Sequence, residues 1–189
     1  MTEVSRKDHA ELKRRPLLAP IWLGVIAALA VLLGVLWGLS APSVSTFYVI
    51  RHAEAEGGVE DPPLSRLGEA RAQRLVTLFA GAEPGLGLDG IIVTDLRRTQ
   101  DTVRPLANRL GVPVVALPAG DIEAAVERAR QDFAGGRVLM VGHSNTVPEL
   151  VKELSGTRPR AIGEAEHGRL YIVTRPRFGP ASVAELSLD

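Results

Sequence analysis

The chain has 189 residues, with 22 Lys and Arg set against 22 Asp and Glu, and no cysteine. That length holds one ordinary domain with a sizeable core plus something extra, and the balanced charge excludes the strong basic excess of a nucleic-acid surface. Without cysteine there is no disulfide, no thiolate chemistry, no cysteine-ligated zinc and no lipoprotein anchor.

Residues 1–20 form a basic N-terminal segment, in which Arg6, Lys7, Lys13, Arg14 and Arg15 outnumber Glu3, Asp8 and Glu11. The next stretch, Ile21 to Leu39 (IWLGVIAALAVLLGVLWGL), carries no charge. At about 1.5 Å per residue it nearly matches the roughly 30 Å thickness of a bilayer's hydrocarbon, which predicts a transmembrane helix. Trp22 and Trp37 stand near its two ends, and Lys13, Arg14 and Arg15 flank only its N-terminal side. Positive charge stays on the cytoplasmic side, so the N-terminus is expected there and the remainder is expected outside the cytoplasm. The competing reading is a cleaved signal peptide, with small residues at Gly38-Leu39-Ser40 and a twin-arginine-like RRPLL from Arg14 to Leu18. Against it, the apolar run exceeds the usual core of such signals, about 7 to 15 residues.

SAPSVS (residues 40–45) is small, polar and proline-containing and predicts a linker, so that residues 46–189 form the folded domain. In chain order, strands are expected at Phe47 to Ile50, Gly90 to Val93, Val112 to Ala116, Val138 to Val141, Leu170 to Val173 and, last, Ser182 to Leu186. Helices are expected at Arg66 to Phe79, Leu96 to Leu110, Ile122 to Phe133 and Val147 to Leu154. Continuous apolar strands alternating with helices predict an α/β domain with a mainly parallel central sheet and helices on both faces. In the second of these helices Leu96, Thr99, Val103, Leu106 and Leu110 recur at helical spacing and define a core face, with Arg98 and Thr102 on another. Pro105 lies inside that pattern without a backbone donor, which predicts a kink or a break.

Two strands end alike. FYVI runs into Arg51-His52, and VLMV runs into Gly142-His143-Ser144-Asn145. A third, GIIV, ends in Thr94-Asp95 and leads to Arg97-Arg98. In open α/β sheets ligands bind beyond the carboxyl ends of the strands, so these residues are expected to converge. Thr146 and Glu149 have capping-box spacing at the start of the following helix, whose free amides favour anions. Histidines, arginines with planar forks and a helix N-terminus describe a phosphate pocket. His167 and His9 fall instead among ordinary structural histidines. GHSNT lacks the second glycine of a serine-hydrolase elbow, and His52 with Glu54 lacks the cysteines of a zinc deaminase.

The segments YVIRHAEA, PLSRLGEARAQ, VTDLRRTQDTVRPLA and LMVGHSNT, in that order, resemble the histidine phosphatase superfamily, also called phosphoglycerate mutase-like. The resemblance spans Phe47 to Leu154 and implies a phosphohistidine mechanism in an α/β fold. Carried over position by position, it implies that His52 is the nucleophile and that Arg51, Arg98 and His143 are phosphate ligands. Thr94 takes the usual place of a small hydroxyl and Ser144 that of a substrate-binding residue, while Arg97 faces solvent. Ala53 stands where glycine is more common and is expected to narrow the approach to the phosphate. The short span from Arg98 to His143 leaves no room for the extra glutamate-bearing segment of mutase-type members, and so implies the compact phosphatase branch that includes phosphohistidine phosphatases.

The scheme calls for no metal and no cofactor. Its substrate is expected to be a phosphorylated small molecule or phosphoprotein, with the membrane as a further partner through residues 21–39 and no nucleic acid. The leaving group needs a proton, for which Glu54, Glu56, Asp61, Asp121 and Glu123 are the candidates, Glu54 first because it lies nearest His52. The alternative is a binding module that keeps the pocket and recruits a phosphorylated partner without turnover.

Overall fold

The computed structural model describes residues 21–40, 44–58, 60–81 and 87–188, excluding the side chains of Trp37, Leu39 and Ser40. The basic segment 1–20, with His9, and positions 41–43 of the expected linker lie outside the described residues. Two compact units divide the chain, Met1–Ala41 and Pro42–Asp189.

In the first unit α1 spans Ile21–Ser40, 20 residues without a charge. Ile21, Val31 and Leu33 are among its exposed apolar side chains. Among the described residues, no helix is long and apolar enough to cross a membrane. The span expected over residues 21–39 drew also on Trp37 and Leu39, whose side chains lie outside the description.

The second unit alternates as expected: β1 (Val44–Arg51), α2 (Arg66–Ala80), β2 (Gly90–Thr94), α3 (Arg97–Leu110), β3 (Val114–Leu117), α4 (Ile122–Asp132), β4 (Arg137–Gly142), α5 (Val147–Ser155), β5 (Arg169–Pro176) and β6 (Ser182–Ser187). They build one six-stranded sheet in the order β3-β2-β4-β1-β5-β6. The first four strands of that order are parallel, whereas β5 pairs antiparallel with β1 and β6 antiparallel with β5. The sheet is therefore mixed, with the parallel pairings that were expected to predominate and two antiparallel ones at one edge. Its antiparallel edge follows from chain geometry: only a short turn joins β5 to β6, and short turns reverse the chain.

Alternation along the strands fills a core on each face of the sheet. Phe47, Val49, Ile92, Val138 and Met140 point to one face and meet Val126, Ala129, Val147, Val151 and Leu154 of α4 and α5. Ile50, Ile91, Val93, Leu139 and Val141 point to the other and meet Leu75, Phe79, Val103 and Leu106 of α2 and α3. β2 and β4 are continuously apolar over Ile91–Val93 and Val138–Val141, up to the polar residues at their carboxyl ends.

Three local expectations differ from the structure. α3 runs through Pro105 without a break, since Val103 and Leu106 on either side are buried in the same core. Thr102, expected away from the core face, is buried at 1% exposure. Thr146 is the N-cap of α5 but makes no side-chain bond to the helix. Its Oγ1 accepts instead from the His143 backbone N–H at 2.8 Å, and Glu149 pairs with Arg158, so the capping box does not form.

Candidate active site

β1, β4 and β2 deliver His52, His143 and Thr94 to one edge of the sheet, because parallel neighbours in register end together. Arg51 pairs with Gly142 in the ladder, and His52 N–H extends it by donating to Gly142 O at 2.9 Å. The two imidazoles face each other with ring centroids 5.3 Å apart. With Arg51, Arg98 and Ser144 they line an open cavity of about 470 Å³.

Both rings are buried, at 7% exposure each. Burial is the largest influence on His52 and pushes it down to about 4; the Ala53 carbonyl opposes this, while His143, Arg51 and Arg98 add to it. His143 is likewise pushed down to about 4, by burial first and then by Arg98 and Arg51, against Asp95 and Asp61. Both are thus neutral at pH 7. His52 Nδ1 lies 2.7 Å from Ala53 O, and since a carbonyl only accepts, Nδ1 carries the proton and Nε2 keeps its lone pair. The backbone presenting that carbonyl is held by Thr102, whose Oγ1 accepts from Ala53 N–H at 2.9 Å and donates to Arg98 O at 2.7 Å. Thr102 therefore ties the strand end that carries His52 to the helix that carries Arg98. The Ala53 methyl does not narrow the cavity; it packs with Leu64 and Ala72 in a small separate cluster.

Around His143, Thr94 Oγ1 lies 3.1 Å from Nε2, and Arg98 Nε donates to Nδ1 at 3.4 Å. Thr94 is fixed in turn by Thr99 Oγ1 at 2.8 Å. Arg97 is exposed and pairs with Asp101, as expected of a solvent-facing residue.

The candidate acids have other work. The Glu54 carboxylate accepts from Arg71 Nε at 2.9 and 3.1 Å and from Nη2 at 2.8 Å. Burial pushes its carboxyl up, but hydrogen bonds from Arg71 and its own backbone outweigh this and leave it below the usual carboxylate range. It does not line the cavity. The expectation that Glu54 donates the leaving-group proton finds no support in a carboxylate held ionised and turned to Arg71. Asp61 accepts the Arg97 backbone N–H with both oxygens at 3.0 Å, capping α3, and lies 4.0 Å from Arg98. Asp121 caps α4 through Ala124 N–H at 3.0 Å, and Glu56 and Glu123 are exposed. Among the described residues no group of three His, Cys, Asp or Glu could hold a metal ion.

Sequence reasoning missed the segment before β5. His167 Nδ1 lies 2.8 Å from the His52 carbonyl and its ring 5.6 Å from the His52 ring, so this structural histidine buttresses His52. Glu164 is the acid that lines the cavity. No spacing signals either residue, because both reach the site only by way of the antiparallel β5. α5 leads away from the carboxyl edge, and the chain must return to that edge before β5 can run antiparallel to β1.

A family profile described as histidine phosphatase superfamily (branch 1) matches residues 47–119. Probable phosphoglycerate mutase GpmB of Enterobacter sp. (strain 638) is 31% identical over 130 residues, 65% of this chain and 52% of that protein. The chain thus spans about half the length of the curated relative it matches. Among solved structures, the protein histidine phosphatase SixA complexed with tungstate superposes with a TM-score of 0.63 at 20% identity, over 76% of this chain and 97% of that one. The alpha-ribazole phosphatase from Shigella flexneri gives 0.56 at 20% identity, over 75% and 96%. At such identities the superpositions speak for a shared fold. The matched segment and the order of the motifs make this part of the chain similar to the histidine phosphatase superfamily, and the superpositions show that the fold is shared.

Proposed function

We propose that the chain is a phosphatase that hydrolyses phosphate monoesters or phosphohistidine through a phosphohistidine on His52. One observation carries this reading: a buried, neutral His52 whose Nδ1 proton is fixed on Ala53 O, leaving Nε2 nucleophilic beside two arginines and His143. Nε2 attacks phosphorus in line, the bond from phosphorus to the leaving oxygen or nitrogen breaks, and the N–P bond forms. Water then attacks the same phosphorus, the N–P bond breaks, phosphate leaves and His52 regains its lone pair. Arg51, Arg98 and His143 hold the equatorial oxygens as charge moves through the transition state. The scheme draws on side chains alone. Its relatives carry names of mutase and phosphatase activities, and those names support the reaction class rather than a substrate.

4-Nitrophenyl phosphate is the probe, since its weakly basic leaving group departs without a proton donor. Wild type should release phosphate and trap label on His52, and His52→Ala should lose at least about a thousandfold in kcat, in line with removing a covalent nucleophile. Undiminished turnover in His52→Ala would sink the proposal. Binding without turnover by wild type would favour the rival, a module that recruits a phosphorylated partner.

We also propose that residues 21–39 anchor the domain in a membrane, with the N-terminus cytoplasmic and the domain extracytoplasmic. The support is in the sequence: an uncharged run from Ile21 to Leu39 with basic residues on its N-terminal side.

A further inference from the structure

Glu164 is an acid that lines the cavity and that the catalytic scheme does not use. Its side chain is 87% exposed, yet Oε2 accepts from Arg51 Nη2 at 3.2 Å and Oε1 accepts from Ser144 Oγ at 3.0 Å. Its backbone is tied down as well. Arg51 Nη1 donates to the carbonyls of Gly163 at 2.9 Å, Glu164 at 2.7 Å and Glu166 at 3.3 Å. A buried arginine thus holds the segment at the cavity mouth, and the carboxylate cannot retreat far from it. Asp61 stands 4.0 Å from Arg98, so each cavity arginine is matched by an acid. With His52 and His143 neutral, these four charges cancel. Arg51 Nε is buried and makes no hydrogen bond within the protein.

We infer that Glu164 selects the carrier of the phosphoryl group, accepting carriers that are neutral or cationic next to phosphorus and repelling those that bear a second anion. The inference rests on the phosphatase reading for where the phosphoryl group lies, against Arg51, Arg98 and His52. A carboxylate on the carrier would meet a fixed, solvent-exposed carboxylate at the mouth, close enough that the two repel within the screening length of about 8 Å at physiological salt. An ammonium or hydroxyl there gains a charge-assisted hydrogen bond to the same group. Since the arginines are already balanced, no surplus positive charge attracts a second anion.

The test is binding of two matched phosphonates, 2-aminoethylphosphonate and 3-phosphonopropionate, to the full chain in detergent by calorimetry. Neither is hydrolysed, so the readout is independent of turnover. Wild type should prefer the amine by about tenfold, the size of one well-placed charge difference. E164Q, which removes the charge at constant shape, should bring the ratio within about threefold, and E164D should keep the preference. An unchanged ratio in E164Q, a wild-type preference for 3-phosphonopropionate, or no binding of either would overturn the inference. Absence of 4-nitrophenyl phosphate hydrolysis with this order intact would instead overturn the phosphatase reading alone.

Discussion

His52 and His143 stay neutral because they are buried between arginines, and the same burial makes folding sensitive to acid. An unfolded histidine titrates near 6.5, whereas both are pushed down to about 4 in the folded chain. Between those values the unfolded state binds more protons, so stability is fully present above pH of about 6.5 and is lost as pH falls towards about 4. By linkage each histidine contributes up to about 3 kcal/mol across that window. Urea melts at pH 7, 6 and 5 should therefore show a steeper loss for wild type than for the double variant His52→Asn, His143→Asn. Equal slopes would contradict the burial argument. These two residues were legible in the sequence because each ends an apolar strand. Glu164 and His167 were not, because their places depend on how far a long connection must travel before β5 begins.

The elements show why the PLSRLGEARAQ motif has its glycine. Gly68 lies in the first turn of α2, whose N-cap Ser65 accepts from Gly68 N–H, and a Cβ built at Gly68 would meet Glu54 O at 2.0 Å. Ser65 N–H also donates to Glu54 O, at 2.9 Å, so α2 sits directly on the segment that follows His52. Ala in place of Gly gains about 1 kcal/mol of helix propensity, but overpacking against backbone costs about 1–3 kcal/mol or more. The clash wins. Gly68→Ala should lower the melting temperature and cut 4-nitrophenyl phosphate turnover together, since α2 can yield only by pushing Glu54 and with it Ala53. A variant as stable and as active as wild type would show that the contact is not tight. At the other helix of this face, Asp61 supplies the side-chain cap that N-cap Leu96 cannot, which is how a loop acid comes to brace α3 and lie near Arg98. Helix boundaries were readable from periodicity; the caps were not, because Asp61 reaches α3 from a distant loop and Thr146 turns back to the His143 N–H instead of into its helix.

For the whole molecule, the sheet order decides which loops meet. β1 and β4 are neighbours and parallel, and β5 enters beside β1 from the carboxyl edge, so the site is built from strand ends and from one returning segment. The proposed anchor belongs to this scale too. Protease added to intact spheroplasts should cleave the domain, and membranes washed with carbonate should retain the chain until detergent is added. Complete protection in spheroplasts would overturn the proposed orientation, and release by carbonate would overturn the anchor. Removal of residues 1–40 should leave the domain's turnover intact, because both cores and all the named site residues lie in the second unit.

By itself the sequence determined the alternation of strands and helices, the two apolar cores, and the arrival of Arg51, His52, Thr94, Arg98 and His143 at one edge. Those follow from local periodicity and from the rule that parallel strands present their carboxyl ends together. Only the tertiary structure decided that the sheet is mixed, that Glu54 is spent on Arg71, that Thr102 and His167 hold the strand end that carries His52, and that Glu164 stands on Arg51. Each of these is a contact between segments far apart in the chain, and no local pattern encodes the path that brings them together.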